Sequence, residues 1–335
     1  MARFFFSSQP KTSNHNNFNQ TQLAKRLLYF ADIMGVRRGT PYSMINKMLK
    51  YIIYAILVSL SLNSFGVLRQ YTAKVENSDW QLKDETRLQC TLSHKIPSYG
   101  EAMFSSFASK QLNMEFELDM FRLPKSYGVA AVYSVPPRWM PGQAHRTIGD
   151  MTIRKQYNGD IPEQTSWNML TELEKGFWPT IYYQDWHNQY DRVAVGLNAS
   201  NFAIPYAQFV ECVANLLPYS FQDIAYTVLI YQFNNTKLTK YSQKRLAMIG
   251  EYLKEDTELE LVLLDGYTDS FGGRATNKQI SIRRAVEIKA FFSSMGVAPQ
   301  RIEITGHGER RHVSPNTNET TRANNRRVVI RMSKP

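Results

Sequence analysis

A chain of 335 residues exceeds the usual size of one domain, so two folded units plus a processed or unstructured segment are expected. A hydrophobic content of 43%, with 13% aromatic residues, supplies enough apolar surface for ordinary cores and excludes a largely disordered chain. The formal charge of +11 is unevenly spread: residues 1–50 carry eight Lys or Arg against the single acid Asp32, 67–219 is near balance, and 220–335 is basic. No aromatic run interleaves with Lys and Arg, and no helix carries a basic stripe. The excess therefore reads as a solvated basic face, and no nucleic-acid partner is expected.

Lys47 and Lys50 precede the uncharged run Tyr51–Leu62, and Asn63-Ser-Phe-Gly66 follows with small residues at the −3 and −1 positions of a signal-peptidase site. Residues 44–66 thus read as a secretory signal peptide, with a mature protein from Val67 in the periplasm. A membrane anchor is the rival reading, because Tyr51 to Leu68 is at the lower edge of spanning length; Asn63 and three serines weaken it. No cysteine ends the apolar run, so lipid attachment has no acceptor. Residues 1–43, rich in Asn, Gln and Ser without an apolar period, read as a non-native or disordered extension. Cys90 and Cys212 are the only cysteines, and an oxidising compartment makes a disulfide between them the expected state. Zinc is the weaker alternative, since neither has a second ligand at metal-site spacing; no metal is expected.

Residues 67–218 form the first expected domain. Leu112–Met120 alternates apolar and polar residues, as do Cys90–His94, Ala102–Ala108, Val129–Val135, Thr147–Tyr157, Thr180–Trp186 and Arg192–Leu197. So many short strands predict a mainly antiparallel β unit, a barrel or sandwich. Two helices interrupt it: Glu163–Lys175, stopped at Gly176, and Tyr206–Leu217, stopped at Pro218, with Cys212 on the apolar face of the second.

The period changes in 219–335. A strand at Ala225–Tyr231 precedes a helix capped by Thr239; a strand at Leu259–Leu264 precedes a long helix with Ala285, Ile288, Phe292 and Met295 on one face, ended by Gly296. Strands Arg301–Thr305 and Arg327–Met332 complete a β-α-β-α-β-β order, an α/β sandwich with helices on one sheet face. Asn316–Arg326 is a loop or short helix.

No nucleophile, base and orienter are suggested by spacing, and the histidines at 94, 145, 187, 307 and 312 form no metal or catalytic motif. Neither enzymatic activity nor a cofactor is expected. The pairs Phe177-Trp178 and Tyr182-Tyr183 read as core packing, with an exposed partner surface as the sharper alternative.

One constellation rises above this background: Gly266-Tyr-Thr-Asp269, Gly272, Asn277, Ile280-Ser281, Arg284-Ala285, Arg301-Ile302, Gly306-His-Gly308 and Asn325-Arg-Arg-Val328. It resembles the OmpA-like wall-binding family, across essentially all of 219–334, and the resemblance implies binding to the stem peptide of peptidoglycan. Diaminopimelate offers an ammonium and carboxylates, and so needs an acid and a base nearby. Asp269, at a strand-to-helix turn, and Arg284, with its bidentate fork, would supply them, with Asn277 and Arg326 as lesser candidates. The alternative is an internal Asp269–Arg284 salt bridge. Tyr267 stands where the family usually has His, and His312 where Pro is frequent.

The first domain resembles the MotY family of sodium-driven flagellar motor proteins. The resemblance rests on Cys90–Phe104, Leu173-Glu-Lys-Gly176, Tyr183-Gln-Asp-Trp186 and Cys212–Leu217. It implies a structural component around the basal body, built with MotX, that helps hold stator units and anchors them to the wall, with outer-membrane association as a further option. A generic wall-binding envelope protein is the second reading. An ion-conducting stator subunit needs an intramembrane carboxylate, which Tyr51–Leu62 lacks. A wall-cleaving enzyme lacks a catalytic set.

Overall fold

The computed structural model describes residues 48–52, 66–232, 237–259 and 261–334. The extension 1–43 lies outside the described residues, as does the signal segment 44–66 apart from helical residues 48–52 and Gly66. Among the described residues, no helix is long and apolar enough to cross a membrane.

The first half is one ten-stranded sheet. Its strands are β1 (Leu68–Thr72), β2 (Trp80–Lys83), β3 (Gln89–Ile96), β4 (Gly100–Phe107), β5 (Glu115–Met120), β6 (Gly128–Val135), β7 (Arg146–Ile153), β8 (Gly159–Ile161), β9 (Trp178–Gln184) and β10 (Arg192–Gly196). They run in the order β1-β10-β9-β6-β7-β8-β5-β4-β3-β2, antiparallel throughout except where β1 lies parallel to β10. Strict alternation drives this: β5 reads exposed-buried three times over, placing Phe116, Leu118 and Met120 on the core face. No ladder joins the edge strands β1 and β2, so the sheet is a half-barrel. Side chains cross the gap instead: Asn198 donates to the Ala73 carbonyl (2.9 Å), and Trp80 Nε1 donates to the Asn198 carbonyl (2.8 Å).

Helix α1 (Glu163–Glu174) adds Met169, Leu170 and Leu173 to the core formed by Leu92, Phe104, Val132, Ile181 and Val195. Helix α2 (Ala203–Ala214) starts three residues before its expected Tyr206, because Pro205 falls in the first turn, where its missing N–H costs nothing. It buries only Phe209 and Cys212. Cys212 is bonded to Cys90, closing a separation of 122 residues. Of the two aromatic pairs, Tyr183 is core, while Trp178 and Tyr182 alternate onto the opposite, half-buried face.

The second half contains α3 (Phe221–Ile224), β11 (Tyr226–Ile230), α4 (Lys240–Glu255), β12 (Leu261–Tyr267), α5 (Arg274–Ser294), β13 (Ile302–Gly308), α6 (Glu319–Asn325) and β14 (Arg327–Ser333). Thr239 caps α4 by accepting the Ser242 N–H (3.2 Å). The sheet runs β11-β14-β12-β13, with β12 and β13 parallel. Ile249, Leu253, Ala285, Ile288 and Phe292 pack against Leu229, Val262, Leu264, Val328 and Ile330 on one face. Neither α4 nor α5 covers the other face.

The two halves share packing. Leu88 and Ala108, from the β3–β4 hairpin, belong to the second core, and the Leu217 N–H donates to the Arg87 carbonyl (2.9 Å). Arg87 pairs with Glu251 (2.5 Å), whose other oxygen accepts from the Tyr219 hydroxyl (2.9 Å), and Lys110 pairs with Asp223.

Candidate functional site

The loop from Thr268 to Gly273 leaves the end of β12 and enters α5, and its position follows from how closely that helix approaches the strands. A Cβ at Gly266 would stand 2.0 Å from the Ser281 carbonyl oxygen, and one at Gly306 would stand 2.6 Å from Ser281 Oγ. Only glycine admits this approach, which accounts for two glycines of the motif. Gly308 donates its N–H to Ser281 Oγ (3.0 Å), while its carbonyl accepts the Thr268 N–H (2.8 Å). Strand ends and helix are thereby tied at one corner.

Asp269 is 8% exposed in that corner. Its Oδ1 accepts the Phe271 N–H (3.2 Å) and its Oδ2 accepts from Arg326 Nη1 (2.9 Å). Arg326 also lies 2.5 Å from Glu319 at the start of α6. Arg284, in the third turn of α5, donates to the Tyr267 carbonyl (3.1 Å) and lies over the Tyr231 ring at 4.4 Å. Burial lowers the Arg284 pKa from the ordinary guanidinium value; Tyr231 and Asp269 oppose that shift, and Arg326 reinforces it. A guanidinium so desolvated stays charged and attracts a carboxylate more strongly than one in bulk water.

Asp269 therefore pairs with Arg326, the residue between α6 and β14, and the Asp269–Arg284 salt bridge does not form. Arg284 feels both charges without bonding to either. Asn277, 3% exposed, donates to Glu309 Oε2 (3.1 Å) and so braces the loop after β13. Asn325 is structural: its Oδ1 accepts the N–H groups of Val313 and Ser314, and its Nδ2 donates to the Ser314 carbonyl. Sequence reasoning passed over Thr268, which is buried with its hydroxyl unpartnered among the described residues, beside Asp269. Its signal was the third position of Gly266-Tyr-Thr-Asp269. Glu319 and Tyr231 were also missed, because neither lies in the motif. Among the described residues, no group of three or more His, Cys, Asp or Glu could hold a metal ion.

The family model for the MotY N-terminal domain matches residues 71–218, and that for the OmpA family matches 230–326. The chain is 41% identical over 280 residues to the sodium-type flagellar protein MotY of Vibrio parahaemolyticus, spanning 83% of this chain and 96% of that relative. It is 33% identical over 100 residues to outer membrane protein A of Bordetella avium, covering 30% of this chain and 51% of that one. The solved peptidoglycan-associated lipoprotein of Burkholderia pseudomallei aligns with 32% of this chain and 89% of its own, at 24% identity and a TM-score of 0.30. Identity at this level over nearly the whole of the Vibrio protein, together with the matched N-terminal domain, shows that the chain belongs to the MotY family.

Proposed function

We propose that this protein is a structural component of the sodium-type flagellar motor that anchors the basal body and its stators to peptidoglycan, without catalysis. Membership of the MotY family carries the motor assignment. The wall assignment rests on the OmpA-type half and on its corner of opposite charges, where Asp269 and Arg326 are paired beside the desolvated guanidinium of Arg284. A diaminopimelate side chain presents its ammonium to Asp269 and a carboxylate to Arg284, with Thr268 within the same turn. Periplasmic wall association follows from this reading, and the basal body is the site of action.

Arg284→Ala is the cleaner test, because Arg284 has no acidic partner to strand. Loss of one charge-assisted hydrogen bond, about 1.5 to 3 kcal/mol, weakens sedimentation with purified peptidoglycan by roughly 10- to 100-fold. Asp269→Ala weakens it too, and also lowers the melting temperature, because Arg326 loses one of its two acidic partners in a largely buried setting. Sedimentation equal to the parent for both variants, at matched folded concentration, would reject the site.

The division of labour assigns 67–218 to docking on the motor, with MotX as partner, and 219–335 to the wall. A 67–218 fragment is expected to be retained by isolated basal bodies and by MotX. If only fragments containing 219–335 are retained, this division of labour is wrong.

A further inference from the structure

The face of the second sheet that α4 and α5 leave uncovered holds a groove of about 520 Å³ that the wall site does not use. Its floor is apolar, made by Val228 and Ile230 of β11 and Val329 of β14, and Arg311 and Val313 of the loop after β13 form one wall. The strand register puts Arg327 opposite Ile230 of β11, on the same face as Val329 and its partner Val228, because every second strand residue points to the same side. Arg327 is 6% exposed. Its guanidinium lies 4.0 Å over the Tyr267 ring, which is itself stacked on His307 at 4.7 Å, and its Nη2 donates to the Arg311 carbonyl (2.9 Å). Its Nη1 is buried with no partner among the described residues.

No carboxylate neutralises Arg327 within ion-pair distance among the described residues. Asp265, the acid in the same lining, is already committed to His307 (2.7 Å) and Arg331 (2.5 Å). Arg311 at the mouth has a left-handed backbone, φ 61°, a strained conformation for a residue with a side chain, and its carbonyl is the one that holds Arg327. A buried guanidinium without a counter-ion costs folding free energy, and such a cost persists where a ligand later repays it.

We propose that Arg327 and the apolar floor beside it form a second binding site, for an acidic segment of a protein partner whose carboxylate seats on Arg327 Nη1 while an apolar neighbour covers Val228, Ile230 and Val329. Charge complementarity favours this occupant: three arginines line the groove against one acid, and that acid is satisfied internally. The apolar floor favours a protein segment over a wall stem peptide, which brings carboxylates and methyl groups but no large apolar side chain. The site does not depend on the wall reading, because its lining includes none of Asp269, Arg284 and Arg326.

The test uses the whole mature chain and the probe peptide acetyl-Leu-Glu-Leu-Glu-amide, followed by the NMR signals of the arginine guanidinium groups. The peptide is expected to shift Arg327, its Leu-Gln-Leu-Gln counterpart to bind at least tenfold more weakly, and Arg327→Met to lose the binding. The melting temperature of Arg327→Met should equal or exceed that of the parent, since the variant removes an uncompensated buried charge. A marked fall would assign Arg327 a purely structural role and overturn the proposal. Equal binding of the uncharged peptide would also overturn it, as would a soluble muropeptide shifting Arg327 while the acidic peptide does not.

Discussion

Replacing Cys90 and Cys212 together by serine lowers the unfolding free energy by about 4 to 5 kcal/mol, because opening a loop of this length returns its closure entropy to the unfolded chain. For a folded unit of this size, that loss corresponds to a fall in melting temperature of roughly 10 to 15 °C. The effect concentrates at α2. That helix buries only Phe209 and Cys212 fully, so the covalent bond supplies much of what holds it on the half-barrel. Immediately after it, Leu217 bonds to Arg87 and the chain passes into the second half. Reduction should therefore loosen both α2 and the junction. Thermal unfolding with and without reductant, combined with limited proteolysis, checks this. Unchanged melting in the double serine variant would show that noncovalent packing alone holds the helix.

Acidification from pH 6.5 towards 4 should cost about 3 kcal/mol through His94 alone. His94 is wholly buried and stacked on Trp80 at 4.4 Å, and its Nδ1 lies 3.0 Å from the Asp79 carbonyl. A carbonyl can only accept, so Nδ1 carries the proton of the neutral ring, and Nε2 is left buried without a partner. Burial pushes the His94 pKa down from 6.5 to about 4, outweighing the pull of the Asp79 carbonyl. The folded state thus prefers the neutral ring. Stability is full above the unfolded value of 6.5, and it falls with decreasing pH until the folded form also takes up its proton near 4. His94→Phe keeps the ring stack and removes the titration. The difference between parent and variant, from urea unfolding at several pH values above 4.5, should shrink by about 1.4 kcal/mol per pH unit below 6.5. Parallel profiles would show that His94 does not titrate in this window.

Much of this fold can be read from alternation and punctuation. β3, β5 and β6 announce themselves by period, Thr239 caps its helix as its type suggests, and Gly176 and Gly296 stop theirs with φ near +85 and +96. Three strands escaped. β8 has only three residues, β2 only four, and β1 is a mostly exposed edge whose partner Arg192 lies far along the chain from Leu68, so no local period marks them. The binding corner divides in the same way. Asp269 and Arg284 stand out by residue type and motif, yet the pairing of Asp269 with Arg326 depends on which strand enters beside the loop, and that is a matter of sheet order. Arg326 and Arg327 are adjacent in sequence, yet one holds Asp269 and the other lies over the Tyr267 ring.

The packing of Leu88 and Ala108 into the second core bears on how load would travel through the molecule. Were the halves joined by the connecting segment alone, they would act as springs in series, and the softest element would set the extension. Here the covalent link runs alongside a buried apolar contact and the Arg87–Glu251 and Lys110–Asp223 pairs. Elements in parallel share tension and stretch together. A pull applied at the Asp269 corner then reaches the half-barrel with little give, as a fixed mooring requires.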